Sequence, residues 1–337
     1  MADLSAADLH RDALVIDMTC PLAKAHRYLD WWIEGGATAI APTIRGFSAG
    51  AGDALAQIGG FRRLCRERDD LMLIETAADL DAARATGRLG LILHSQGGSI
   101  VEDRLDLVDG LQAAGLRVLQ LCYNTKNLIG DGAGERTDSG LSDFGVRLIG
   151  RLNAARVAVD CAHTGHRTSM DAVEHSAAPV IISHANARAV HDNLRNVEDE
   201  LIRAVAGTGG VIGTVGFPSF LTAEGQPSLD AFIDDIAYKA YLVGIDHTGL
   251  GIDYYLGQWG VEDDAAALAR YEGLLAEGLW RPGQYPPPPY KYPEGIETPR
   301  TLPALTERLL ARGFSTEDIR KVLGENWRRV FAEIWGG

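Results

Sequence analysis

Two histidines stand at the ends of consecutive apolar runs that are typical of buried strands. His163 closes "RVAVDCAH" and His184 lies near the end of "PVIISHA". If side chains alternate along each strand, His163 shares the inner face with Val159 and Cys161, and His184 shares it with Ile182. Neighbouring strands lie about 4.8 Å apart, so both imidazoles could reach one metal ion. We therefore predict a metal site at this pair; the alternative is that each is an ordinary core histidine.

A carboxylate and an amide stand at the ends of two other runs. Asp253 lies near the end of "TGLGIDY", and Gln96 ends "LGLILHSQ". Burying a carboxylate costs free energy unless it is paired or near a cation. We predict that Asp253 is a general base or a third metal ligand, with a backbone cap as the alternative. Gln96 offers an amide oxygen, which is a weak metal ligand.

Three more polar residues complete this set. Tyr123 and Asn124 close "RVLQLCYN", and Arg195 lies in "HDNLRN", just after the second histidine run. A guanidinium can hold a carboxylate through two parallel hydrogen bonds, so Arg195 is predicted to bind a substrate carboxylate. A surface salt bridge is the alternative. Tyr123 is predicted to stabilise an oxyanion, and Asn124 is predicted to contact the substrate.

The elements that position these residues are eight short apolar runs, each followed by a plausible helix. Near-continuous apolar runs are typical of parallel strands that are buried on both faces. Eight strand–helix units predict a (β/α)8 barrel, in which chemistry sits at the carboxyl ends of the strands. An open doubly wound sheet is the alternative, although no glycine-rich dinucleotide fingerprint follows the first run. The runs are "LVIDMT", Thr38–Ile44, Leu89–Gln96, Arg117–Asn124, Arg156–His163, Pro179–Ala185, Gly210–Phe217 and Thr248–Tyr254, with Leu71–Thr76 as a short extra strand.

One segment differs in composition from the rest of the chain. Residues Tyr254–Thr298 contain "QYPPPPYKYPEG" and directly follow the last predicted strand. We expect this 254–298 segment to lie over the mouth of the barrel, where sites are built. A solvated surface excursion is the alternative. Since no linker divides the chain, residues 1–337 are predicted to form a single barrel domain.

The charge of the chain limits its partners. The 337 residues carry a formal net charge of −14, which argues against nucleic acids and anionic membranes as partners. No apolar run approaches the length of a membrane span. The N-terminal "MADLSAADLHRD" lacks the basic and apolar parts of a signal peptide. The four cysteines include no CxxC pair, which suits reduced thiols, so we expect a cytoplasmic protein with a small-molecule substrate.

Several long blocks resemble a known enzyme family. The blocks "YNTKNLIGDGAGERTDSGLSDFGVRLIGRLNAARVAVDCAHTG", "ISHANARAVHDNLRNVEDELIRAVAGTGGVIG", "GIDHTGLGIDY" and "GENWRRVF" are similar to the membrane (renal) dipeptidase family, peptidase family M19. The resemblance implies a (β/α)8 metallohydrolase of the amidohydrolase type, often a homodimer. It also implies cleavage of dipeptides with two zinc ions.

The resemblance assigns roles to four of the residues named above. His163 and His184 match the two histidines that bind the second zinc of the family. Asp253 matches the aspartate that handles the proton of the attacking water. Arg195 matches the arginine that binds the substrate carboxylate.

Other positions depart from the family pattern. In the family, the first strand ends in His-x-Asp, and both of these residues bind the first zinc. Thr19 and Pro21 stand at the matching positions here. The glutamate that bridges the two ions is matched by Gln96. A histidine that polarises the scissile carbonyl is matched by Tyr123. This chain is therefore a divergent member that lacks several metal ligands, and we expect one zinc at most.

Three functions are consistent with this pattern. The first is a dipeptidase-like hydrolase whose single zinc is held by His163 and His184, with Gln96 or Asp253 as a further ligand. The second is a barrel enzyme with altered, metal-independent chemistry on a small carboxylate, as in specialised metabolism. The third is a non-catalytic small-molecule binder.

Overall fold

Ten short β-strands form the centre of the molecule. The computed structural model of the chain describes residues 5–45 and 49–336, so the first four residues of the predicted non-signal N-terminus lie outside the described residues. Within the described ranges, the strands pair in parallel throughout. Their bounds are β1 Ile16–Cys20, β2 Ala39–Arg45, β3 Leu71–Leu73, β4 Leu89–Leu91, β5 Leu93–Ser95, β6 Leu116–Gln120, β7 Ala158–Asp160, β8 Val180–Ile181, β9 Ile212–Thr214 and β10 Thr248–Leu250.

Eight of the strands follow one another around a ring. Their order is β8, β7, β6, β5, β2, β1, β10 and β9. The two ends of this series meet at a parallel bridge between Ile182 and Ile212, where the amide of Ile182 donates to the carbonyl of Val211 at 3.0 Å. The ring of parallel strands alternates with helices, so the predicted (β/α)8 barrel is confirmed and the open-sheet alternative is wrong.

The third predicted strand is split into two pieces. Ile92 separates β4 from β5; β4 pairs with β2 and β3, whereas β5 pairs with β2 and β6. The predicted extra strand at Leu71–Thr76 is present as β3 and pairs with β4 on the outside of the ring.

Thirteen α-helices accompany the strands in the described part of the chain. Not one of these helices is both long enough and apolar enough to cross a membrane. Their bounds are α1 Ala6–Asp12, α2 Leu29–Glu34, α3 Ala51–Glu67, α4 Ala77–Thr86, α5 Leu107–Ala114, α6 Asp143–Ala154, α7 His166–His175, α8 Asp199–Gly207, α9 Leu229–Val243, α10 Asp264–Ala276, α11 Pro303–Ala311, α12 Thr316–Arg320 and α13 Asn326–Trp335. Short 3-10 turns lie at Pro21–Lys24, His26–Tyr28, Gly98–Val101, Pro218–Phe220, Ile245–His247 and Pro299–Thr301.

Helix α6 shows how the sequence specifies a barrel helix. The side chain of Ser142 caps its first turn by accepting from the amide of Gly145 at 3.0 Å. Phe144, Leu148 and Leu152 then recur four residues apart and are buried against the barrel. The cap sets where the helix begins, and the apolar stripe sets which face turns inward.

A π turn at Lys321–Glu325 joins α12 to α13 without a break in the helical run. Gly324 lies in this turn so close to α1 and β1 that an added Cβ would sit 2.4 Å from the carbonyl oxygen of Leu14. Only a residue without a side chain permits this approach.

Helix α13 closes one end of the barrel. The indole of Trp335 donates to the carbonyl of Arg117 at the start of β6, and Arg329 donates to the carbonyl of Gly209 just before β9. The apolar side chains of α13 pack in one cluster with interior residues of several strands. The helix members are Trp327, Val330, Phe331, Ile334 and Trp335, and the strand members include Ile16, Met18, Val118, Ala158 and Ile181. Since α13 covers the end where the strands begin, the other end is left for a site.

The inner face of β7 differs from the predicted one. Asp160 on β7 meets His94 on β5 across the intervening β6, with 3.0 Å between Oδ2 and Nε2, so both side chains point into the barrel. Alternation then turns Val159 and Cys161 outward, toward the helices. The prediction that His163 reaches the interior by sharing their face was therefore wrong.

Candidate active site

Three site residues reach the barrel mouth through an unusual backbone conformation. Asn124, His163 and Asp253 have φ angles of 54°, 59° and 65°, in the left-handed region that side chains other than glycine rarely adopt. Each follows a strand by a few residues. The backbone there has already left the pleat, so alternation along the strand does not set where these side chains point. Such conformations persist where the surrounding structure holds them, and they cluster at functional sites.

The two histidines lie against each other. Their ring centroids are 4.8 Å apart at an interplanar angle of 64°. Both rings are buried, and the Nε2 atom of each has no hydrogen-bond partner among the described residues. A buried polar atom without a partner costs free energy, so two such atoms at one place are suited to bind a ligand.

The tautomer of His163 is fixed by Asn124. Nδ1 of His163 lies 2.8 Å from Oδ1 of Asn124, and Nδ2 of Asn124 donates to the carbonyl of Leu279 at 3.1 Å. The amide oxygen of Asn124 can only accept, so Nδ1 of His163 carries the hydrogen. Its Nε2 atom therefore presents a lone pair.

Two hydroxyls contact the Nδ1 atom of His184. Its Nδ1 atom lies 3.0 Å from Oγ1 of Thr19 and 2.8 Å from Oγ of Ser183. Thr19 also lies 2.7 Å from the carbonyl of Met18, which can only accept; when Thr19 donates there, its oxygen accepts from Nδ1 of His184. Nε2 of His184 then also presents a lone pair. Thr19 thus contacts this histidine.

The electrostatic surroundings keep both rings neutral. Burial lowers the pKa of His163 and of His184 well below the usual value, and the positive charge of Arg195 lowers both further. Two neutral imidazoles with oriented hydrogen bonds at Nδ1 are the usual donors to a transition metal ion.

The two Nε2 atoms are the donors that this site offers to a metal ion. Across residues 5–45 and 49–336, no group of three or more histidine, cysteine, aspartate or glutamate side chains is arranged to hold an ion. Gln96 is nearly buried, and its Oε1 atom accepts from the hydroxyl of Thr43 at 2.9 Å, which leaves one lone pair on this amide oxygen. A pair of ions needs bridging carboxylates to offset its charge, whereas the histidine pair suits a single ion with open positions.

Asp253 stands at the rim with an unusual carboxyl group. In the part of the chain that the structure describes, no hydrogen bond reaches its carboxylate oxygens, although its amide donates to the carbonyl of Thr19 at 3.1 Å. Burial raises the pKa of Asp253 well above the ordinary value; the charge of Arg195 opposes this rise and that of Asp17 adds to it. Raised pKa values of this kind are typical of general acids and bases.

Arg195 lies inside the protein. Its side chain is 2% exposed, its Nη2 atom donates to the carbonyl of His184 at 3.4 Å, and its guanidinium lies 5.4 Å from the ring centre of Phe220. Nε of Arg195 has no partner among the described residues. The surface salt bridge considered from the sequence is therefore wrong. A buried guanidinium with unused donors calls for an anion.

The loop that carries His184 and Arg195 rests on a buried ion pair. Lys239 and Asp235, one turn apart on α9, are both fully buried, with 2.7 Å between Nζ and Oδ2. Lys239 donates to the carbonyl of Ala185 at 3.2 Å, and Asp235 accepts from the amide of Ala187 at 2.7 Å. The pair thus fixes the backbone directly after the second histidine.

The 254–298 segment contacts the site directly. The indole nitrogen of Trp280 donates to the hydroxyl of Tyr123 at 2.8 Å, and Tyr123 stacks on His163 with 4.2 Å between ring centres. Asn124 donates to the hydroxyl of Tyr285 at 3.0 Å. Leu279, Trp280 and Tyr285 of the segment therefore hold Tyr123 and Asn124, which both contact His163.

A cavity of about 320 Å³ joins the strand ends to this segment. From the barrel it is lined by Pro21, Lys24, Gln96, Tyr123, His163, Phe217 and Asp253, and from the segment by Tyr255, Leu256, Arg270, Gly273, Leu274, Glu277, Trp280 and Tyr285. We call this the larger cavity. A smaller cavity of about 170 Å³ is lined by His163 and Arg195 together with loop residues. His163 therefore borders both cavities.

The residues predicted from the sequence fall into two groups. Gln96, Tyr123, His163 and Asp253 line the larger cavity. His184, Arg195 and Asn124 lie immediately beside them in the interior. The roles assigned to all seven stay predictions, including substrate contact by Asn124, whose amide is engaged within the protein.

Sequence reasoning missed the partners of these residues. Ser183 and Thr19 at His184, and Trp280 and Tyr285 beside Tyr123 and Asn124, received no role. The only signal for the aromatic pair was the tyrosine-rich composition of its segment.

The fold and the strand-end residues define a barrel of the amidohydrolase type. A crystal structure described as an amidohydrolase from Pseudomonas aeruginosa has the same fold, with a TM-score of 0.88 and 31% identity over 99% of this chain and 100% of that chain. The chain belongs to the membrane dipeptidase family, peptidase family M19, whose model matches residues 32–284. The resemblance seen in the sequence is thereby confirmed.

Two other relatives extend this comparison. An uncharacterized dipeptidase of Schizosaccharomyces pombe is 31% identical over 68% of this chain, a match that spans 57% of that protein's length. A metallo peptidase from Rhodobacter sphaeroides, solved with a phosphinate mimic of the dipeptide L-Ala-D-Ala, shares the fold with a TM-score of 0.77 and 21% identity. That comparison covers 96% of this chain and 99% of the other.

Proposed function

We propose that the protein is a dipeptidase-like hydrolase that cleaves a dipeptide or a related small amide bearing a carboxylate. The observation that carries this proposal is the pair of buried, unpartnered Nε2 atoms on His163 and His184, with Arg195 in contact with His184 and Asp253 lining the same cavity as His163. Membership of the dipeptidase family supports it, as does the dipeptide mimic bound by the structural relative from Rhodobacter sphaeroides.

The proposed roles follow from the two cavities. Arg195 lines the smaller cavity and binds the substrate carboxylate, and Asp253 lines the larger cavity and takes the proton of the attacking water. The scissile amide then lies at His163, which borders both. Burial raises the pKa of Tyr123 well above its usual value, so its hydroxyl keeps its proton and can donate to the oxyanion.

We further propose that one zinc ion at most is held, by Nε2 of His163 and of His184, with Gln96 or Asp253 as a further ligand. When bound, such an ion would supply Lewis-acid polarisation of the scissile carbonyl. Asn124, Thr19 and Ser183 act at one remove, because they hold the two imidazoles in the tautomer that leaves Nε2 able to bind.

The test is amide hydrolysis by the purified protein. We expect a panel of dipeptides incubated with the protein and zinc to release free amino acids, detected by mass spectrometry. His163→Ala should abolish release, whereas His175→Ala, which removes an exposed histidine from α7, should not. A protein that binds no zinc and gains no amide hydrolysis when zinc is added would contradict the proposal.

One observation favours a second candidate, a barrel enzyme with metal-independent acid–base chemistry. The cation of Arg195 lies close enough to both histidines to lower their pKa values, and the same charge opposes the binding of a metal cation. Turnover that persists after chelation and is lost in Asp253→Asn would support this candidate. Tight binding without any turnover would indicate a binder instead. The cytoplasmic location and the homodimer stay predictions.

A further inference from the structure

The larger cavity has an aromatic wall that the proposed chemistry does not use. Trp280 and Tyr285 stack with 4.2 Å between ring centres and an interplanar angle of 6°. Phe217 meets them edge-on at 6.2 Å and 5.7 Å, and Tyr255 lies 5.5 Å from Trp280. All four line the cavity. We call these four residues the aromatic wall.

The polar atoms of Trp280 and Tyr285 are engaged by other groups of the protein. The indole nitrogen of Trp280 is used by Tyr123, and the hydroxyl of Tyr285 is used by Asn124. The backbone of Tyr285 is held as well, because its carbonyl accepts from the hydroxyl of Tyr271 at 3.1 Å. The rings are thus fixed before a ligand arrives, and they offer it apolar surface.

The charges around the cavity favour a neutral occupant over a cation. Lys24 and Arg270 line it as well as Asp253 and Glu277, so it has no excess of negative charge. A cationic group on the aromatic faces would be repelled by the positive charges of the lining residues, which no excess of negative charge offsets. The volume of about 320 Å³ is at the low end for ligand sites, which suits one bulky side chain.

We propose that the larger cavity is a subsite for a neutral aromatic side chain on the acyl side of the scissile amide. This inference rests on the proposed function for its orientation. Arg195 lies in the smaller cavity and holds the carboxylate of the amine-side residue. Because His163 borders both cavities, the side chain on the other side of the scissile amide then lies in the larger cavity, against the aromatic wall. Tyr255, Trp280 and Tyr285 of the 254–298 segment are then the residues that determine specificity.

The experiment measures binding of Phe-Ala, Ala-Phe and Ala-Ala by calorimetry. The protein used is the Asp253→Asn variant, so that hydrolysis of the dipeptide does not contribute to the measured heat of binding. Burial of one aromatic side chain should make Phe-Ala bind at least about tenfold more tightly than Ala-Ala. Ala-Phe should gain little, because its ring lies on the carboxylate side.

Matched variants test whether the aromatic wall causes the tighter binding of Phe-Ala. Tyr255→Ala should reduce the preference for Phe-Ala over Ala-Ala by about threefold or more, and Tyr255→Phe should restore it. Trp259→Ala is the control, because Trp259 belongs to the same segment but is 65% exposed and lies outside this cavity. Lys-Ala, measured in the same way, tests whether a cation is preferred. Equal binding of Phe-Ala and Ala-Ala, or tighter binding of Ala-Phe or Lys-Ala than of Phe-Ala, would overturn the inference.

The two proposals fail separately in this design. If Phe-Ala binds preferentially but the unaltered protein cleaves nothing, the subsite stands and the hydrolase does not. If the unaltered protein cleaves Ala-Ala and Phe-Ala with equal kcat/KM and both bind equally, the hydrolase stands and the aromatic subsite is wrong.

Discussion

At the scale of single residues, the site depends on a carboxyl group that burial has made a weak acid. We expect Asp253→Asn to lower kcat by about a hundredfold to ten-thousandfold, the usual range for loss of a general base. Calorimetry with the same dipeptide should show that binding is retained. A variant that keeps full turnover would show that another group accepts the proton.

The same residue predicts a pH dependence. Burial raises the pKa of Asp253, and only its deprotonated form can accept a proton. The value of kcat/KM should therefore rise with pH through a midpoint above the ordinary range of a carboxyl group. Asp253→Asn should lose this limb of the pH profile. A midpoint within the ordinary carboxyl range would contradict the assignment.

A second single-residue prediction concerns the buried pair beneath the His184 loop. Lys239→Met leaves Asp235 as an unpaired buried charge, so we expect it to lower the free energy of unfolding by about 3–5 kcal/mol in urea titrations. The double variant Lys239→Met, Asp235→Leu should recover part of this loss, because no charge is then left alone. Lys321→Met, which removes two more exposed ion pairs, with Asp246 and Glu317, is the control and should change stability by about 1 kcal/mol or less. A single variant as stable as the original would show that the pair is not ionised.

At the scale of elements, the π turn between α12 and α13 predicts a sharp difference between two glycines. Gly324→Ala should destabilise the protein, because the new Cβ would lie 2.4 Å from the carbonyl oxygen of Leu14, and a backbone must move. Gly150 lies within α6, and a Cβ added there would meet no atom within 4 Å. Gly150→Ala should therefore stabilise the protein by about 0.5–1 kcal/mol. Thermal or urea unfolding of both variants measures the contrast, and equal effects would contradict the packing described for the turn.

The elements also show what the sequence can and cannot reveal. Apolar runs located the barrel strands because a parallel strand buried on both faces has few alternatives. The direction of the catalytic side chains could not be found in this way. His163 and Asp253 lie after their strands, in left-handed conformations that depend on tertiary contacts and not on local pattern. Composition singled out the 254–298 segment, yet the pairing of Trp280 with Tyr123 joins residues far apart in sequence and leaves no local signal.

At the scale of the whole molecule, the histidine pair predicts that zinc stabilises the fold. Any ion that binds only the folded state raises the midpoint of thermal unfolding by mass action. We expect added zinc to raise this midpoint, and the double variant His163→Ala, His184→Ala to abolish the shift. His175→Ala should leave the shift unchanged. A shift that survives in the double variant would place the ion elsewhere in the protein.

The closure of the barrel by α13 has a consequence for biosynthesis. Trp327 and Phe331 of this helix cover interior residues of strands as early in the chain as β1. Every barrel strand has therefore left the ribosome before the helix that covers their starting ends is made. During that interval the nascent barrel exposes apolar surface at this end, and a chaperone that recognises apolar surface would find it there. Native packing of the strands is thus completed only after translation has passed the codons of α13.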